Sequence, residues 1–229
     1  MRLSTRQHHA FTLVELLITV GIIALLLGLL IPIVSKARQA SNLVTCTANL
    51  RQWGFAMHAY ALSNESWLPR RGQGVDATTQ IDRDADWFNS LPPLIEMTAY
   101  REAAALGHDP NSGIWVCPEA KAVSTPHRFN YAMNMWISPT QATSPDRLDS
   151  LGDASSMVFM ADGPPGHCST VPGRAQYSPD ARHAGRVNIC FLDGHVAAYG
   201  GAEIGCGVGD PMRPDVRWMV VNSAWPGPK

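Results

Sequence analysis

The chain has 229 residues, 45% of them apolar, with 18 Lys+Arg against 19 Asp+Glu. That length holds one ordinary domain with extra segments, and a charged fraction of 16% excludes a chain that stays disordered for want of apolar surface. A net charge of -1 leaves no basic surplus to neutralise phosphates, so no nucleic-acid partner is expected. Five cysteines do not make a disulfide-dense mini-scaffold.

Leu16 to Val34 runs for nineteen positions without a charge. At about 1.5 Å per residue such a helix nearly spans the roughly 30 Å of a bilayer core. Arg2 and Arg6 precede it, as they would precede the apolar core of a secretory signal. No small-x-small cleavage pattern follows, however, and Ser35-Lys36-Ala37-Arg38-Gln39-Ala40 continues as helix. Glu15 stands inside the leading edge of the apolar run, where an ionised carboxylate calls for a cation. Gly28 and Pro32 weaken the helical ladder, because Pro32 has no N–H for the Gly28 carbonyl; they mark a kink, or a stretch that unwinds on packing.

The string Ala10-Phe11-Thr12-Leu13-Val14-Glu15-Leu16-Leu17 resembles the processing site of type IV prepilins and type II secretion pseudopilins. The resemblance implies cutting between Ala10 and Phe11 on the cytoplasmic side by a prepilin peptidase, with N-methylation of Phe11. Ala10 occupies the place that the family usually fills with Gly. It further implies that Glu15 pairs with the terminal amine of an adjacent subunit and sets its register in a fibre. Four regions follow: a leader over 1–10, a membrane-spanning and fibre-core helix half over 11–34, an amphipathic half over 35–62, and a periplasmic body over 63–229. The amphipathic half rests on Leu43, Thr47, Leu50, Gly54, Met57 and Ala61, which recur at spacings of three and four. The implied fold is α+β and pilin-like, the long N-terminal helix packed on a small antiparallel sheet.

Along the body, Leu94 to Leu106 predicts a short helix stopped by Gly107. Strand-like runs stand at Ile114–Cys117, Met157–Ala161, Val187–Tyr199 and Val216–Val221. Asp193-Gly194 between two such runs predicts a two-residue hairpin turn with both residues at positive φ. Leu192 then faces His195 and Phe191 faces Val196. Val187, Ile189, Phe191, Val196 and Ala198 share one face, with Asn188, Cys190, Leu192, His195 and Ala197 on the other.

His183, nine further residues and then Asp193-Gly194 resemble the H-X9-DG element attached to many prepilin-type proteins of Planctomycetes and related bacteria. Cys46 with Asn49-Leu50-Arg51-Gln52, Cys117-Pro118, Tyr131-Ala132-Met133-Asn134 and Ala161-Asp162-Gly163 follow that family's order. Within the oxidising compartment so implied, Cys46 and Cys117 are the expected disulfide, with Cys168, Cys190 and Cys206 offering other pairings. His183, Asp193 and Gly194 are expected to order the hairpin, His183 bonding the Asp193 carboxylate or nearby backbone. Asp162, His183, Asp193 and His195 carry suitable metal donors, but no metal or other cofactor is expected. No nucleophile–base pair, C-x-x-C or phosphate-cradling loop stands out, so no enzymatic activity is expected.

The resulting expectation is a pseudopilin-like structural subunit of a type II secretion or type IV pilus-like apparatus. It resides in the inner membrane as a single-pass protein, and its partners are the prepilin peptidase and other pilin-like subunits. The alternatives are a membrane-tethered periplasmic binding module that never polymerises and a metal-dependent enzyme on a membrane anchor.

Overall fold

Thr12 opens the first helix by a reciprocal cap. Its backbone N–H and hydroxyl donate to Glu15 Oε2 (2.9 and 2.8 Å), and its Oγ1 accepts the Glu15 N–H (3.2 Å). This Thr-x-x-Glu box satisfies N–H groups that the helix start leaves without intrahelical partners. Helix α1 then runs from Leu13 to Ser63, continuous through Pro32. A left-handed exit ends it: Glu65 and Ser66 take φ of 51° and 65°, and the Ser66 N–H bonds back to the Ala61 carbonyl (2.8 Å). This is the closing bond of a Schellman motif, made here without glycine.

The computed structural model describes residues 12–72, 81–106, 113–120, 129–137, 147–207 and 213–219. Ala10, Phe11 and Gly107 lie outside them. The chain divides into two compact units, Met1–Ser41 and Asn42–Lys229. In the first, the apolar residues of α1 from Leu13 to Val34 are exposed on every side, and the segment is long and apolar enough to cross a membrane. Exposure all round suits a lipid or subunit environment and does not suit water.

In the second unit, the remainder of α1 buries Cys46, Asn49, Leu50, Trp53, Gly54, Ala56, Met57 and Ala61. They pack on one face of a five-stranded sheet with order β3-β1-β2-β4-β5. The strands are β1 (Tyr131–Asn134), β2 (Val158–Asp162), β3 (Ser169–Thr170), β4 (Arg186–Phe191) and β5 (Val196–Gly200). All neighbours are antiparallel except β1 and β3. The fold is therefore α+β and pilin-like, a long helix packed on a small and mostly antiparallel sheet.

The helix side of the sheet carries an aromatic core. Trp53 packs on Trp115 and edge-on to Trp87 (centroids 4.7 and 5.3 Å), with Phe88, Tyr100 and Phe129 beyond. The opposite face holds Val158, Ala161, Val187, Ile189 and Phe191 under Ile204, Val216 and Trp218. A register shift between Val158 and Met160 turns both Phe159 and Met160 to the helix side. Such a bulge disrupts the strict alternation of a strand.

Three sequence expectations for the body change. The predicted helix over 94–106 is broken: a 3₁₀ turn, Pro92–Ile95, ends at Glu96 with φ 59°, and a short α-helix spans only Tyr100–Ala105. The run at Ile114–Cys117 is no strand, since Gly113–Trp115 is a 3₁₀ turn. The run from Val216 shrinks to one bridge, Met157 to Arg217, and its last two residues lie outside the described ones.

The fourth change is one of register. Cys190 pairs with Val196 and Ile189 with Ala197, so β5 is one residue out of the predicted alignment. Only Gly194 of the Asp193-Gly194 pair has positive φ (87°); its N–H bonds the Phe191 carbonyl (2.9 Å), and Phe191 N–H bonds the His195 carbonyl (3.0 Å). The loop is a three-residue turn with a glycine bulge, in place of a two-residue turn. A one-residue slip exchanges the faces of every β5 side chain. Ala197 and Tyr199 accordingly join Val187, Ile189 and Phe191, while Val196 joins Cys190 on the helix side.

Candidate functional site

Three residues of α1 spaced by four and three hold the segment ahead of β1. Asn42 Nδ2 donates to Glu119 Oε1 (2.5 Å), Cys46 forms a disulfide with Cys117, and Asn49 Nδ2 donates to the Val116 carbonyl (3.3 Å). At 3.6 residues per turn these three lie along one helix stripe. The Cα atoms of Cys46 and Cys117 are 5.5 Å apart, an ordinary span for a bridge. The Asn49 amide also donates to the Tyr131 hydroxyl (3.1 Å), which extends the strap to β1. Asn130 Oδ1 accepts the Cys117 N–H (2.9 Å) and fixes the sulfur-bearing turn.

His183 meets the disulfide from the other side. Its Nε2 lies 3.4 Å from Cys117 Sγ and 3.4 Å from Asp162 Oδ2. Asp162 ends β2 opposite Tyr131, and its Oδ2 accepts the Asn188 N–H of β4 (2.7 Å). Cys46, Cys117, Asp162 and His183 are all buried. Burial raises the Tyr131 hydroxyl above the ordinary range of a phenol, and the Asp162 charge adds to the effect.

A tight reversal places His183 there. His183 and Arg186 exchange backbone bonds (3.2 and 3.0 Å) across Ala184 and Gly185, whose φ values are 52° and 81°. The turn with two left-handed residues thus exists, but at Ala184-Gly185 and not at Asp193-Gly194. Alanine gives no sequence signal for positive φ, which explains why the sequence pattern points elsewhere.

The expected partnership of His183 with Asp193 does not form. Asp193 sits at the far end of β4, where its Oδ1 accepts the His195 N–H (3.0 Å) and contacts His195 Nδ1 (2.6 Å). Asp162, His183, Asp193 and His195 therefore separate into two pairs, one buried and one exposed at the turn. Gly194 does have a packing role: a Cβ there would approach His58 Nε2 to 3.3 Å. The stretch from His183 to Gly194 therefore meets α1 at both ends, through the Cys46–Cys117 bridge beside His183 and through His58 beside Gly194. Sequence reasoning missed Asn130, Asn188 and the role of Asn49; the i, i+4, i+7 spacing of Asn42, Cys46 and Asn49 was the available signal.

In the first unit, Glu15 is engaged by Thr12 as described, and Gly28 and Pro32 lie within the exposed apolar stretch of α1. A prokaryotic N-terminal methylation motif matches residues 5–31 and so covers Ala10, Phe11, Glu15 and Gly28. No curated protein and no solved structure matches the chain. The N-terminal segment is thus of the prepilin type. With the helix-on-sheet body it makes the chain pilin-like, carrying one apolar helix fit for a single-pass anchor.

Proposed function

We propose that the chain is a pseudopilin-like structural subunit of a type II secretion or type IV pilus-like apparatus. A prepilin peptidase cuts between Ala10 and Phe11 and methylates the new terminus, and the helix from Phe11 to Val34 is retained in the inner membrane. The body from Asn42 onward is periplasmic. The single observation behind this reading is the methylation motif over 5–31 running directly into a helix that is apolar and exposed throughout its first half. A signal peptide is removed, whereas here the same helix continues into the body and forms its core.

The work of such a subunit is mechanical. Apolar helices from neighbouring copies or homologous subunits bundle as a fibre core, which covers the surface that α1 leaves exposed. The new amine on Phe11 supplies the cation that Glu15 needs, from an adjacent subunit. The Thr12 cap holds the Glu15 carboxylate at the helix start in the meantime. Side chains of the body tie it to α1, and the chain performs no chemistry of its own. Expression with its own assembly machinery, followed by imaging of sheared surface fractions, tests the proposal. Fibres that contain the chain and vanish in Glu15→Ala are expected; processed chain confined to membranes as single subunits would contradict it.

A further inference from the structure

The buried group around Cys117 carries more donor atoms than a helix-to-sheet tie requires. Cys46 Sγ, Cys117 Sγ and a His183 ring nitrogen all lie within 4.8 Å of one another. His183 Nε2 is 3.4 Å from both Cys117 Sγ and Asp162 Oδ2. Two ligands held at about 2.0–2.3 Å from a zinc ion at the tetrahedral angle stand about 3.3–3.8 Å apart. Both distances fall on that edge length. We propose that, in the dithiol state, Cys46, Cys117 and His183 hold a zinc-class divalent cation, and that the Asp162 carboxylate beside His183 moves in as the fourth ligand of a closed tetrahedral site.

Two further observations support the site. Asp162 is fully buried, pairs with no Lys or Arg among the described residues, and has no hydrogen-bond partner there for its Oδ1. A buried carboxylate so placed is costly unless a cation reaches it. The four donors also come from four rigidly held places: α1, the turn fixed by Asn130, the end of β2, and the tight reversal at Ala184-Gly185. Asn188 N–H on Asp162 Oδ2 orients the carboxylate as an outer-shell donor does. With all four ligands protein-borne and buried, the site is structural and has no open position for substrate. The disulfide and the metal are then mutually exclusive ways of fastening α1 to the sheet.

Full-length protein in detergent provides the test, with Co²⁺ and Zn²⁺ alone as probes. A phosphine reductant breaks the S–S bond, taking oxygen from water to become the phosphine oxide and leaving one proton on each sulfur. The cation then displaces those two protons as the thiolates bind. One equivalent of Co²⁺ with a thiolate-to-cobalt charge-transfer band is expected in reduced protein, and none in oxidised protein. His183→Ala and Asp162→Asn should each weaken binding at least tenfold, in the range found for altered metal shells. Cys206→Ser, a half-buried thiol outside the cluster, should change nothing. Zn²⁺ should also raise the melting temperature of reduced protein, or refold it if reduction unfolds it. Absence of the band together with absence of any Zn²⁺ effect on melting or refolding would overturn the proposal. Full affinity in His183→Ala would overturn it equally.

Discussion

Gly54 of α1 lies against Gly194 of the β4–β5 turn: a Cβ at Gly54 would stand 3.3 Å from the Gly194 Cα and 2.8 Å from Cys190 Sγ. Helix and hairpin meet there with no side chain from either glycine between them. Gly54→Ala should therefore destabilise the body despite the better helix propensity of alanine, by about 1–3 kcal/mol as in other overpacked cores. Denaturant titration of the wild type and variant checks this; an unchanged or higher midpoint would show that the hairpin yields freely.

Ala184 holds φ 52° in the reversal that places His183. Replacing it by glycine removes a left-handed cost that alanine bears, so Ala184→Gly should stabilise by about 0.5–1 kcal/mol. Ala184→Val should destabilise, since a β-branched residue fits that region least. Thermal melts of the two variants, which should move in opposite directions, are the check.

The Cys46–Cys117 bridge closes a loop with a sequence separation of 71. Loop-entropy arguments assign such a crosslink about 4.4 kcal/mol. Cys46→Ala/Cys117→Ala, measured with chelator present, should lose roughly that amount. Non-reducing peptide mapping of the wild type should recover the two cysteines in one crosslinked fragment.

Asp86 is buried with Arg70 Nε at 3.8 Å and no hydrogen bond to either carboxylate oxygen among the described residues. Burial raises its carboxyl to about 6, against the opposing charges of Arg70 and Arg83. Between about pH 4 and 6 the folded state thus keeps a proton that the unfolded chain has lost, so this group makes stability fall as pH rises through that window. A shift of this size corresponds to about 2–3 kcal/mol, absent below about pH 4 and complete above about pH 6. Asp86→Asn should flatten that limb and raise stability at pH 7. Urea titrations across pH 4–8 decide it, and a limb of equal slope in the variant would exclude Asp86 as its source.

The N-terminal helix was legible because its signals are strong and local: nineteen uncharged residues and a three-and-four stripe ending near Ala61, although its Thr12–Glu15 cap went unread. The body was legible only in part. β4 was marked by alternation, but its partner slipped by one residue because Gly194 serves a bulge and not a two-residue turn. Short β1 and β3 leave little periodicity to detect, and the former is buried along its whole length. The buried cluster joins residues far apart in sequence. Cys117 and His183 were each visible as motif residues, but their contact depends on the left-handed Ala184 that no propensity announces.

The most direct test of the central claim is intact-mass and N-terminal peptide analysis of the chain purified from membranes of a cell that expresses its own processing machinery. The account predicts a mature chain that begins with N-methylated Phe11 and retains the entire apolar helix. A chain beginning after Val34, or one that keeps Met1 through Ala10 unprocessed, would contradict it.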